Sequence, residues 1–175
     1  MRIPAPLADG SYPTPNRHLS PSATVWHLRS GLNVAALGCR GAGEAEMAAR
    51  YNALLATHKA ALADAYRTYQ AEYRAREPAD WQNRYDSAMT RLYNYFSQPP
   101  AQQAFCAAAR TLLVEVAPLL PEQLDEFAAA RLPELDRPFT DFYRAYDRWR
   151  AQAMPTGAPP AVRAAVPAIR VAPTS

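Results

Sequence analysis

Carboxylates and histidines are the side chains best able to do chemistry in this chain, and their spacing decides what chemistry is open to them. Cleavage of a glycosidic bond needs two carboxyl groups, one giving a proton to the leaving oxygen and one acting as base or nucleophile. The candidates are Glu44, Glu46, Asp80, Asp86 and Glu115. Glu44 and Glu46 open a helix, and Asp80 and Asp86 lie near the start of another, so helix-dipole compensation accounts for them. Glu115 is the sole carboxylate in the apolar run of residues 111–120. It is the first choice for an acid held protonated by its surroundings, with Asp86 as the other choice. A cell-wall-active, muramidase-like hydrolase built on one of these is the alternative function.

Histidine points to less. His58 lies on an apolar stripe between Leu54 and Leu62. A metal ligand or general base there needs a second partner, and neither HExxH nor ExxH spacing occurs. A hydrogen-bonded core histidine is the expectation. His27 and His18 have no visible partner either. Nucleophilic catalysis lacks a GxSxG elbow, and phosphate binding lacks a P-loop, since GCRGAG at residues 38–43 matches neither glycine pattern and suits a helix connector. Haem attachment would need CxxCH, which is absent. No catalytic residue, metal or cofactor is therefore expected. Cys39 and Cys106 match no zinc or redox spacing, and the residues alone leave them as either a pair or two buried thiols.

Aromatic usage is the unusual feature. Of ten tyrosines, Tyr51, Tyr66, Tyr69, Tyr73, Tyr85, Tyr93, Tyr143 and Tyr146 recur at helical spacing. The preferred reading buries their rings along interhelical seams and sends the hydroxyls to polar partners such as Asn33, Asn52 or Asn94. Exposed, the same residues would anchor a protein interface, because Tyr, Trp and Arg dominate contact hot spots. The stretch YRAYDRWR at residues 143–150 is the best candidate, with Tyr143, Tyr146, Arg148 and Trp149 as its anchors.

The elements that must position these groups are helical. Residues 1–19 hold Pro4, Pro6, Pro13 and Pro15 and no helical period, so they form an extended arm. Ser20 followed by Pro21 is an N-cap with proline at the first helical position, and Val25, Trp26, Leu28, Leu32, Ala35 and Leu37 continue helix one to Gly38. Glycines 38, 41 and 43 suit a reversal at positive φ. Residues 44–76 read as a single helix of about 50 Å that scaffolds the rest. Residues 79–97 give helix three, and residues 101–117 helix four with Cys106 facing inward. A short fifth helix covers residues 121–131, and Pro133 and Pro138 break it from helix six, which carries Phe139, Phe142, Tyr143, Tyr146 and Trp149. Residues 154–175, rich in Pro and Ala, form a flexible or partner-ordered tail. The expected fold is thus all-α, a single bundle of five to six helices over residues 20–153 with Pro-rich arms at both ends.

Charge and hydropathy narrow the partners. The chain of 175 residues is 49% hydrophobic and 20% charged, an ordinary globular balance. No apolar stretch reaches the ~20 residues needed to cross a bilayer. The net charge of +3 sits in the flanks, with +3 on residues 1–43 and −2 on residues 44–150, where Lys59 is the one lysine. A nucleic-acid surface concentrates Lys and Arg instead, so nucleic acid is not expected as a partner. The opening MRIPAPLADGSYPTPN has no apolar core of a secretory signal, and a proline-rich start before a capped helix is typical of a mature exported protein.

The segments SATVWHLRSGLNVAALGCRG (22–41), YNALLATHKAALADAY (51–66) and YDSAMTRLYNYFSQ (85–98), with Phe105 and Cys106, resemble a family of exported proteobacterial helical proteins to which no activity is attached. The resemblance covers most of the helical core. It implies export to the periplasm and a bridge between Cys39 and Cys106, and supplies no catalytic residue. The expected function is a non-catalytic, exported helical-bundle protein that binds a protein partner or assembles, using its Pro-rich arms to reach other chains.

Overall fold

A computed structural model describes residues 3–153. Among them are six α-helices and no strand: α1 Pro21–Gly38, α2 Glu44–Thr57, α3 Lys59–Arg76, α4 Trp81–Phe96, α5 Gln102–Glu115 and α6 Leu124–Ala153, with 3-10 turns at Pro99–Ala101 and Pro121–Gln123. The all-helical reading holds. Ser20 caps α1 as its sequence suggests, with Oγ accepting from the Ala23 amide at 3.1 Å and Pro21 in the first turn. Gly41 and Gly43 take positive φ in the reversal, whereas Gly38 remains helical.

The centre of the bundle is α1, which packs against each of the other five helices. Ala23, Val25, His27, Leu28, Ser30, Gly31, Leu32, Ala35 and Ala36 are all buried, a distribution too wide for one amphipathic face and proper to an enclosed helix. Small residues let its neighbours approach closely. A Cβ added to Gly31 would lie 3.0 Å from Leu135 Cδ1 and 3.0 Å from Phe96 Cζ, so α4 and α6 converge on this glycine. Phe96, Phe105 and Phe139 fill the space beside it, with ring centroids 5.4 to 5.9 Å apart.

Two helix assignments are corrected. The expected scaffold over residues 44–76 is divided at His58, whose backbone (φ −101°, ψ 20°) leaves the helical region. The hydrogen bonds flanking the break survive, from His58 N to Leu54 O at 3.0 Å and from Leu62 N to His58 O at 2.9 Å. The bend has a packing cause: α2 lies on α1 and α5, α3 lies on α1 and α4, and a straight rod would serve only one of these pairs.

The expected break at Pro133 and Pro138 is absent, because both prolines lie inside the 30-residue α6. Each removes one helical hydrogen bond and costs about 3 kcal/mol. Against that, Leu124, Ala128, Leu132, Leu135, Phe139 and Tyr143 form an unbroken buried stripe at spacings of three and four. Burying the Leu and Phe side chains stabilises by about 1.5–3 kcal/mol each, so the continuous face prevails.

The N-terminal arm is held by its own bundle. Tyr12 is 4% exposed and donates to Asp147 at 2.7 Å. Thr14 donates to Asp136 Oδ2 at 2.9 Å, and Asn16 Nδ2 to Asp136 Oδ1 at 2.6 Å. The tail expected over residues 154–175 lies outside the described residues.

Candidate functional site

The carboxylates singled out by sequence are dispersed. Asp86 is exposed on α4. Glu115, the last residue of α5, is half-buried with Oε2 3.1 Å from Arg131 Nε, and Arg131 in turn binds Glu134 at 2.6 Å. That ion pair occupies the carboxylate, although its alignment falls short of a hydrogen bond. Among the described residues no cluster of three or more His, Cys, Asp or Glu is arranged to hold a metal.

Cys39 and Cys106 are brought together as a disulfide, Cα atoms 5.7 Å apart, linking the C-terminal cap of α1 to α5. Cys39 is buried, and Cys106 is half-buried rather than fully inward.

His58 is 1% exposed, and burial pushes its pKa down while the Val116 backbone partly opposes this. It borders a 120 Å³ cavity with Arg50, Thr57 and Ala117. The core placement is as expected, but Nδ1 has no hydrogen-bond partner among the described residues.

The interface candidates divide. Tyr143 is 3% exposed and donates to Gln98 at 2.8 Å, so it belongs to the core and is withdrawn as an anchor. The cause is register: it is the last position of the buried α6 stripe. Tyr146, Arg148 and Trp149 lie beyond it. Trp149 is 60% exposed, Arg148 is exposed, and the Tyr146 and Trp149 rings are 5.6 Å apart.

Of the remaining tyrosines read as core, Tyr51, Tyr69 and Tyr85 are buried, Tyr73 and Tyr93 are half-buried and Tyr66 is exposed. Tyr95 donates to Asp136 Oδ1 at 2.8 Å, and Arg29 donates to the Tyr93 oxygen at 3.1 Å.

What sequence reasoning missed is a cavity of 240 Å³ between the arm, α1, α3 and α4. At its floor lies His27, 3% exposed, with Nδ1 2.9 Å from Asn16 Oδ1 and Nε2 3.0 Å from the Tyr69 hydroxyl. Desolvation lowers the His27 pKa to about 4, so the ring is neutral near pH 7. The proton positions then follow in sequence. Asp136 Oδ1 accepts from Asn16 Nδ2, which turns Asn16 Oδ1 toward His27. Nδ1 must therefore carry the ring proton, and Nε2 accepts from the Tyr69 hydroxyl. With its hydrogen so used, Tyr69 can only accept from Tyr73, whose oxygen is 3.5 Å away.

Burial raises the Tyr69 pKa above its ordinary value, so this hydroxyl serves as a fixed hydrogen-bonding group and not as a base at neutral pH. Around the opening stand Arg17, His18, Glu72, Arg76 and Arg91. His18 is the one described non-glycine residue at positive φ, 55°, a conformation costing about 1–2 kcal/mol.

Set against protein-family models, curated proteins and solved structures, the chain matches none of the three.

Proposed function

We propose that this chain is an exported, non-catalytic helical-bundle module that binds a protein partner or further copies of itself through the C-terminal end of α6. The observation that carries the reading is Trp149, 60% exposed with Tyr146 at 5.6 Å between ring centroids. A large aromatic left in water beside a second ring and the exposed Arg148 is the composition of an interface anchor. The N-terminal arm contributes less than its sequence suggests, since Tyr12, Thr14 and Asn16 already bind the bundle. The Cys39–Cys106 pairing supports export, because such bridges persist in oxidising compartments. Among the described residues no helix is long and apolar enough to cross a membrane.

The test is photo-cross-linking in the cells of origin, with the reactive side chain placed at position 149 and, as a control, at the exposed Leu120. A discrete adduct at 149 alone is the expected result. No adduct above the control, together with sedimentation as a strict monomer, overturns the proposal. Free thiols in protein isolated from those cells would overturn its export half.

A further inference from the structure

We propose that the cavity between the N-terminal arm, α1, α3 and α4 is a binding site for a small hydroxylated oxyanion, a carboxylate or phosphate with a hydroxyl group close to it. The site stands apart from the α6 surface and does not rest on it. Its volume of 240 Å³ corresponds to about eight waters at about 30 Å³ each, room for a ligand of roughly ten non-hydrogen atoms.

The charge of the rim selects an anion. Arg17, Arg76 and Arg91 face the single carboxylate Glu72. Arg76 approaches Glu72 only to 3.9 Å, and Arg17 is shared with Asp9 at 3.5 Å. Arg91 forms no ion pair among the described residues, so its guanidinium is available to grip a carboxylate or phosphate.

The floor selects a hydroxyl. The chain of hydrogen bonds that starts at Asp136 and runs through Asn16, His27 and Tyr69 leaves the Tyr69 oxygen as an acceptor toward the Tyr73 hydroxyl, 3.5 Å away. A Tyr73 hydroxyl turned toward Tyr69 offers its oxygen lone pairs to the cavity, and Glu72 offers a second acceptor at the rim. An anion lacking a hydroxyl would leave these acceptors facing it without donors. The unusual backbone of His18 fits the same picture, because it lies in the arm segment that closes one wall of the cavity.

The experiment is an NMR titration of the full chain with glycerate, glycerol 3-phosphate and propionate, at ionic strength held constant with sodium chloride. Saturable amide shifts at residues 17–20, 69–76 and 88–91 are expected with the first two probes, at millimolar concentration or below. Arg91→Gln removes an exposed side chain and should weaken both by about tenfold, the loss of one charge-assisted contact. Tyr73→Phe should weaken glycerate and leave the feeble binding of propionate unchanged. Propionate binding as tightly as glycerate, unchanged affinity in folded Arg91→Gln, or shifts that never saturate would each overturn the site.

Discussion

Asn16 of the N-terminal arm and Asp136 of α6 are joined by a 2.6 Å hydrogen bond across 120 residues of sequence, and this contact ties an irregular segment to the longest helix. Asp136 also accepts from Thr14 at 2.9 Å and from Tyr95 at 2.8 Å, so three donors from two separate parts of the chain converge on one carboxylate. Removing it leaves all three without their acceptor. Asp136→Ala is expected to destabilise the fold by about 3 kcal/mol, and Thr14→Ala by about 1 kcal/mol. Urea unfolding checks both. Limited proteolysis separates the causes, since Asp136→Ala should also expose the arm to cleavage before residue 20. A midpoint unchanged in Asp136→Ala would show that the arm contributes nothing to the stability of the bundle.

The disulfide should matter to stability more than any single arm contact. Cys39 and Cys106 are 67 positions apart, and closing a loop of that size lowers the entropy of the unfolded chain by an amount worth about 4 kcal/mol, an upper figure. The Cys39→Ser, Cys106→Ser double variant should therefore lose up to that amount and melt well below the oxidised protein. Thermal unfolding with and without a thiol reductant is the measurement. Equal melting in the two conditions would show that packing of α1 against the other helices already confines the ends of this loop.

How far these relationships were legible in the sequence follows from their range. The Ser20–Pro21 cap is a local signal, and it was readable because an N-cap needs only its own first turn. The α6 stripe is equally present in the spacing from Leu124 to Tyr143, but Pro133 and Pro138 fall within it and carry the opposite local signal. Propensity acts per residue, whereas the burial of a whole face adds up along the helix. Following the stripe through both prolines would also have placed Tyr143 in the core. The cavity was not legible at all. His27 meets Asn16 and Tyr69 from 11 and 42 residues away, and neither separation is a motif. Only the fold of the arm over α1 and α3 brings them together.

Stability should fall in mild acid. The folded His27 pKa of about 4 lies below the ordinary 6.5, so its neutral form is the one the fold favours. The unfolded chain takes up a proton as pH drops below 6.5, while the folded protein resists until about 4. The associated stability is complete above pH 6.5 and declines through that window, reaching a loss of about 3 kcal/mol at its lower end. Burial lowers the His58 pKa too and adds a change of the same sign. Denaturant unfolding at pH 7 and pH 5 should show the decline, with a smaller slope in His27→Gln. A slope unaffected by that substitution would assign the effect to His58 and the carboxylates alone.

Gly31 tests how tightly the centre is built. In an exposed helix, replacing glycine by alanine stabilises by about 1 kcal/mol, through lower backbone entropy in the unfolded chain. Gly31 has helical backbone, so that gain applies, but the new Cβ would press at 3.0 Å on Leu135 and on Phe96, both at or below 1% exposed. Neither neighbour has free volume to retreat into: Phe96 is held by Phe105 at 5.5 Å and by Phe139 at 5.9 Å between centroids. Overpacking of this kind costs about 1–3 kcal/mol and exceeds the propensity gain in most of that range. Gly31→Ala is therefore expected to lower stability by about 1 kcal/mol and Gly31→Val by considerably more. Chemical denaturation of the two variants measures it. A stabilised Gly31→Ala would mean that α4 and α6 can move away from α1 by a few tenths of an ångström without loss of contact elsewhere.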